Sequence, residues 1–141
     1  MKLNLIFYVT LMAFSAPTPA ENRLPPCPNS PNCVSSQATD DSHFIAPFKI
    51  TGSIEDAWAA LKQALISQGR TVMTRETENT LHAEARSLVF RFVDDIDALL
   101  DKEARIIHIR SASRIGYGDF GVNRKRVEML RAQLQQAQVI E

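Results

Sequence analysis

Arg110, Ser111, Ser113 and Arg114, followed by Asn123 and Arg124, bring guanidinium forks, hydroxyls and an amide into one stretch of chain. Groups of this kind bind anions, because a planar guanidinium and short polar donors match the oxygens of a phosphate or carboxylate. Arg124-Lys125-Arg126 open a helical stretch. Cations there oppose the partial positive charge of free helix amides, by roughly a few tenths of a kcal/mol each. An anion at that helix end reverses the sign of the term, and free amides already favour one. With Asp94 and Asp95 these residues form the candidate ligand-binding set: Arg110, Ser111, Ser113, Arg114, Asn123, Arg124, Asp94 and Asp95. The competing reading is structural, with Asp119, Asp94 and Asp95 neutralising the arginines from within the chain.

Asp94, Asp95 and Asp97 also invite an enzyme reading, since clustered carboxylates do acid-base work or hold a cation. Opposite charges across a hairpin explain them more simply. No nucleophile-base-orienter set stands out, and neither Gly-x-Ser-x-Gly nor His-Glu-x-x-His occurs. Gly116-Tyr117-Gly118-Asp119-Phe120-Gly121 matches the dinucleotide fingerprint by letter. That fingerprint needs a later parallel strand with an acidic residue roughly 20 positions on, and only a helix follows. His43, His82 and His108 are scattered beside apolar residues and read as structural. The expectation is no catalytic residue, no metal and no cofactor.

Cys27 and Cys33 flank a spacer rich in Pro, Asn and Ser that can fold back on itself. A disulfide is the expectation for an exported chain. A redox-active thiol pair and a metal site are the alternatives, the latter lacking further ligands at a usual spacing. Export itself is read from the amino end. Lys2, an apolar run over residues 3–14 and small residues up to Ala20 have the order of a cleaved signal peptide, residues 1–20. The run is shorter than the roughly 20 residues that span a bilayer, and a retained anchor is the alternative. Loss of residues 1–20 removes Lys2 alone, leaving one more acidic than basic residue. No overall field then favours nucleic acid or an anionic membrane. Cations concentrate between Arg105 and Arg131, opposed only by Asp119 and Glu128.

The elements that must position these residues follow from periodicity. Residues 21–42, with their prolines and cysteines, read as an extended arm, and residues 43–137 as a single domain. Residues 43–50 read as a short apolar strand. Ser53 caps a helix with Asp56 three positions on, and Ile54, Ala57, Trp58, Leu61 and Leu65 recur at helical spacing up to Gly69. Strands are expected over 70–76, 80–86, 89–100 and 105–113, and a last helix over about 123–136 with Val127, Leu130, Leu134 and Ala137 on its apolar stripe. The order β-α-β4-α gives an α+β fold, a two-layer antiparallel sheet with both helices on one face. Alternation puts Leu81, Ala83, Ala85, Phe90, Phe92, Ile96, Ala98, Ile107 and Ile109 under the helices. It puts His82, Glu84, Arg86, Arg91, Asp95, Asp97, His108, Arg110 and Arg114 on the other face. A loop at residues 101–104 pairs Leu100 with Arg105, so that Asp97 faces His108, Asp95 faces Arg110 and Arg91 faces Arg114. That last like-charged pair asks for an anion between them.

Cys27-Pro28-Asn29-Ser30-Pro31-Asn32-Cys33-Val34-Ser35-Ser36, Phe92-Val93-Asp94-Asp95, and Arg110-Ser111-Ala112-Ser113-Arg114 with Gly121-Val122-Asn123-Arg124 together resemble the DUF1499 family, a domain of unknown function. The resemblance spans roughly residues 24–134. It implies that the two cysteines, Asp94, Asp95, Arg110, Ser111, Ser113, Arg114, Asn123 and Arg124 fall in the family's signature blocks. The element order also resembles TATA-binding-protein and helix-grip domains, which licenses neither DNA nor lipid binding. The expected function is an exported, periplasmic binding module for an anionic small molecule or an acidic envelope protein. The alternatives are a hydrolase-type enzyme using Asp94 or Asp95 and an envelope assembly factor.

Overall fold

A computed structural model describes residues 22–141; the expected signal peptide, residues 1–20, lies outside them. Eight elements follow in order: β1 (Cys33–Ser35), β2 (Phe48–Lys49), α1 (Ile54–Ser67), β3 (Thr71–Glu76), β4 (Thr80–Arg86), β5 (Val93–Asp101), β6 (Ile106–Ser113) and α2 (Val122–Gln136). The fold is α+β, a six-stranded antiparallel sheet with two helices. The sheet order is β1-β6-β5-β4-β3, with β2 also on β6. Strands β1 and β2 share the outer edge of β6, against residues 110–112 and 106–107 respectively. The expected strand over 43–50 therefore shrinks to its last part, and the segment expected as an arm supplies a buried strand of its own.

Both helices cover one face. Ala57, Trp58, Leu61 and Leu65 of α1 and Val127, Leu130 and Leu134 of α2 share one core with Leu81, Ala83, Ile96, Ala98, Ile107 and Ile109 from the sheet. Alanines at 83, 85 and 98 let the helices sit close to the central strands. Each fully buried Leu or Ile here is worth about 1.5–3 kcal/mol relative to exposure. Ser53 caps α1 by accepting the amide of Asp56 at 3.1 Å. The carboxyl end, beyond the expected limit at residue 137, belongs to the fold too. Ile140 bridges Ile50 and is buried.

Two expectations need correction. First, the β5–β6 register is displaced by two residues: Asp101 pairs with Ile106, Ala98 with Ile109, Asp97 with Arg110, and Asp95 with Ala112. The cause is the turn. Asp101 accepts the amide of Ala104 at 2.9 Å, and Arg105 takes a left-handed φ of 56°, so Arg105 stays in the loop. An even displacement keeps every side chain on its face, so the alternation survives while the partners change. Second, β5 begins at Val93, not 89. Phe90 and Phe92 are exposed rather than packed under the helices, Arg91 lies in a loop, and Arg91 does not face Arg114 across a pair of strands.

Candidate functional site

Apart from Arg91, which lies in a loop, the uncovered face of the sheet carries the charged residues expected there. Row by row, His82 of β4 lies beside Asp97 of β5 and Arg110 of β6, and Glu84 lies beside Asp95 and Ala112. His82 Nδ1 is 2.6 Å from Asp97 and its Nε2 is 3.2 Å from Asp95. A neutral ring donates to only one of the two. Arg110 reaches Asp97 at 3.2 Å. Arg114 forks onto Asp95 at 2.8 and 2.9 Å, and the same Nη2 donates to Glu84 at 2.6 Å. These are the short, charge-assisted bonds of a bidentate pair. The guanidinium of Arg114 holds the Asp95 carboxyl below its usual range, against an opposing push from burial. Asp95 and then Glu84 hold the Arg114 cation above its own usual range. His82, Glu84 and Asp95 stand close enough to share a cation, but Arg114 already serves Glu84 and Asp95. A general acid at neutral pH needs a pKa raised toward about 7, and Asp95 is moved the other way.

Strand alternation separates Ser111 and Ser113 from Arg110 and Arg114. The two serines point toward the helices, where they meet α2. Ser111 Oγ donates to Asn123 Oδ1 at 2.7 Å, and Asn123 Nδ2 donates to Ser113 Oγ at 2.9 Å and to the Asn32 carbonyl at 3.1 Å. Arg126 donates to Ser111 Oγ, to Asn123 Oδ1 and, at 2.7 Å, to Asp94 Oδ2. Ser111 and Asn123 are fully buried. Every member has a partner inside the protein, so this network binds the first turn of α2 to β5, β6 and the chain before β1.

Arg124 belongs to neither group. It donates to the carbonyls of Phe44 and Ser42, at 3.0 and 3.2 Å. The anion sought by the start of α2 is supplied by the chain. Asp119 accepts the amides of Gly121 at 2.8 Å and Asn123 at 3.1 Å, and the side-chain amide of Asn123 at 2.8 Å. Burial pushes its carboxyl up, but the bonds from Asn123 and Gly121 outweigh that and leave it below its usual value.

The eight expected ligand-binding residues thus fall in three places. Arg110, Arg114 and Asp95 meet on the open face; Asp94, Ser111, Ser113 and Asn123 meet beneath α2; Arg124 lies apart. Sequence reasoning left Arg126, Glu84 and His82 out of the site. Alternation had put His82 and Glu84 on the polar face, but only the true register shows whom they meet. The cysteines are joined as expected, with Cα atoms 5.7 Å apart. A groove of about 700 Å³ runs between the arm and β6. Several of its polar groups are already engaged: Gln37 with Leu24 and Asn22, Ser36 with His108 and Ile109.

A different region is under-satisfied. The β4–β5 loop (residues 87–92) and the β6–α2 loop (residues 114–121) leave the same end of the sheet, since Arg86 pairs with Val93 and Asp94 with Ser113. Most of the large apolar side chains exposed among the described residues lie there, including Leu88, Val89, Phe90, Ile115, Tyr117 and Phe120. Arg70, Arg91, Arg124 and Lys125 lie at the same end. Among the described residues they form no ion pair: Arg70 and Arg124 donate only to carbonyls. The nearby carboxylates are committed, Glu84 and Asp95 to Arg114, Asp94 to Arg126 and Asp119 to helix amides.

No described helix is long and apolar enough to cross a membrane. The family model described as Protein of unknown function (DUF1499) matches residues 23–134. No curated protein matches the chain.

Proposed function

Starting from the fact that the chain belongs to the DUF1499 family, we propose that it is an exported binding module that docks an anionic partner surface through the loop end of its sheet. The observation that carries this reading is that cations without a carboxylate partner and most of the exposed large apolar side chains gather at one end of the sheet. Arg110, Arg114 and Arg126 are neutralised by Asp97, Asp95, Glu84 and Asp94. Arg70, Arg91, Arg124 and Lys125 have no carboxylate partner among the described residues; Arg70, Arg91 and Lys125 are exposed and Arg124 is half-buried, at the end of the sheet where exposed apolar groups gather. An anionic partner gains from this second set without first displacing an ion pair. The proposal keeps the anionic partner expected for the 110–124 region and moves its place to the loop end. Catalysis by Asp94 or Asp95 is disfavoured, because both carboxylates serve as counter-ions to arginines.

Binding of a soluble polyanion, dextran sulfate, measured by light scattering or calorimetry over a salt series tests the reading. The wild-type chain should bind, and more weakly as salt rises, since exposed charges are screened within about 10 Å at 0.1 M. Each cation near a charged surface contributes about 1 kcal/mol, so the double variant R91Q/K125Q should bind about 25-fold more weakly. Equal binding by that variant overturns the assignment. Export has its own check. Protein recovered from the cell envelope should begin at or near Glu21, and an intact mass that retains Met1 would remove it from the proposal.

A further inference from the structure

We infer that the anionic partner of the loop end is a lipid bilayer surface, with the two loop tips entering the headgroup region and the neighbouring cations meeting lipid phosphates. The inference rests on the docking reading above and names its partner. Three features favour a bilayer over a folded protein.

The first is what the loops present. Phe120 is fully exposed, and Phe90, Val89, Leu88 and Tyr117 are each more than two thirds exposed. They stand on the loops 87–92 and 114–121, not on a strand or helix face. A protein interface buries its apolar anchors in matching pockets on a flat, closely packed patch. A bilayer needs no shape match, and amphipathic aromatic tips with basic neighbours suit its interface.

The second feature is the fixed backbone beneath those tips. Ser87 N donates to the Phe92 carbonyl and Phe92 N to Ser87 Oγ, both at 2.9 Å, closing the 87–92 loop. The Phe90 and Phe92 rings stack with centroids 5.4 Å apart. The second loop is held by Asn32 Nδ2 on the Gly116 carbonyl at 2.7 Å and by Asp119 on the helix amides. Arg91 and Phe120 both adopt a left-handed φ of 53°. Such backbone is costly for a non-glycine residue, and at Phe120 its result is a ring wholly in solvent. The apolar tips are therefore displayed by bonded turns before any partner arrives.

The third is the mixing of charge and apolar surface. Arg91 lies between Phe90 and Phe92 in the chain, and Arg70, Arg86 and Arg91 border a notch with Leu88 and Val72. Arg124 shares another notch with Phe120. Arg86 is paired with Glu84 and Asp119 is held by helix amides, but Arg70, Arg91 and Arg124 form no ion pair among the described residues, and cations so placed among apolar tips complement the layer where phosphates overlie acyl chains. An acidic protein surface would match the cations but leave the apolar tips without a place.

The test uses the chain from Glu21 to Glu141, because every described element lies within residues 22–141 and the apolar run of residues 3–14 would bind vesicles by itself. Co-sedimentation is compared on vesicles of phosphatidylglycerol with phosphatidylcholine and of phosphatidylcholine alone. The wild type should bind the anionic vesicles far better. R91Q/K125Q should lose about fivefold per charge. F90A/F120A should lose roughly tenfold or more on vesicles while binding dextran sulfate as the wild type does. Trp emission from F120W should shift to the blue on anionic vesicles. A wild-type chain that binds dextran sulfate but not anionic vesicles overturns the bilayer and leaves the docking reading standing. A wild-type chain that binds neither overturns both. Vesicle binding indifferent to F90A/F120A overturns the insertion of the tips, and so does a protein partner that needs those rings when vesicles are ignored.

Discussion

Asp119 closes the start of α2 with both carboxylate oxygens, and Arg126, one turn into the helix, returns to Asp94 on β5. These contacts explain why Arg124-Lys125-Arg126 is tolerated where the helix dipole disfavours cations. One arginine is paired within, one is spent on carbonyls, and the lysine faces out. The Asp94–Arg126 pair is largely buried, so removing one partner strands a charge. We expect R126A to lose about 3–5 kcal/mol in urea denaturation. The double variant D94L/R126M should lose much less than the two single changes summed, because no uncompensated charge remains. Additive losses would show that the pair does not act as a unit. Two histidines should respond to pH with opposite signs. His43 donates to the Ser30 carbonyl at 2.9 Å, and this bond, opposed by burial and aided by Asp40, raises it above 6.5. Its contribution is complete below 6.5 and disappears as pH rises through the raised value. Burial lowers His108 despite an opposing pull from Asp101. Its neutral ring is favoured at high pH, and stability falls as acid protonates it in the unfolded chain first. Denaturation midpoints should therefore show H43Q closest to wild type at alkaline pH and H108Q gaining on wild type as pH falls. Parallel pH curves for both variants would contradict the assignments.

At the scale of elements, the amino-terminal segment is built into the sheet rather than trailing from it. Strand β1 is buried at all three residues and pairs with β6 through Cys33, Val34 and Ser35. The disulfide ties residue 27 to this edge. Closing so short a loop constrains the unfolded chain by about 2 kcal/mol. Reduction should lower the denaturation free energy by about that much while far-UV circular dichroism keeps the native form. Collapse of the spectrum on reduction would mean that the bridge holds the core. The β4–β5 loop is the other element with consequences. Phe90 and Phe92 have the alternation of a strand, yet Arg91's left-handed backbone and the paired bonds between Ser87 and Phe92 end the pairing before Val93. The rings lose about 1.5–3 kcal/mol of possible burial each. A fold that leaves them outside presents them to something else.

Over the whole molecule the formal charge is balanced, and the charges are sorted by where they are answered. On the open face Arg110 and Arg114, and beneath α2 Arg126, meet carboxylates within the chain. At the loop end Arg86 meets Glu84, but Arg70, Arg91, Arg124 and Lys125 form no ion pair among the described residues, and the exposed apolar groups gather there as well. Steep salt dependence combined with sensitivity to uncharged ring deletions is the joint signature expected for such a surface, and charge alone would not produce it. Fold class, both helices and the polar and apolar strand faces were legible in the sequence, because side-chain period is a local property. Leu81, Ala83 and Ala85 alternate with His82, Glu84 and Arg86 whatever strand lies beside them. The site was legible only as a set of residue types. Whether Asp95 meets Arg110 or Arg114 depends on a displacement of two residues, and a period of two is blind to it.

The amino-acid order thus determined the α+β layers, the cysteine pair and the family to which the chain belongs. Tertiary structure decided which cations are satisfied. That depends on the left-handed turn at Arg105, the carboxylate of Asp119 folding onto the amides of α2, and the adjacency of β4, β5 and β6. Those are contacts between distant parts of the chain. Ion-pair geometry changes over a few ångströms, whereas hydrophobic periodicity specifies only a face, so the faces could be read in advance and the partners could not.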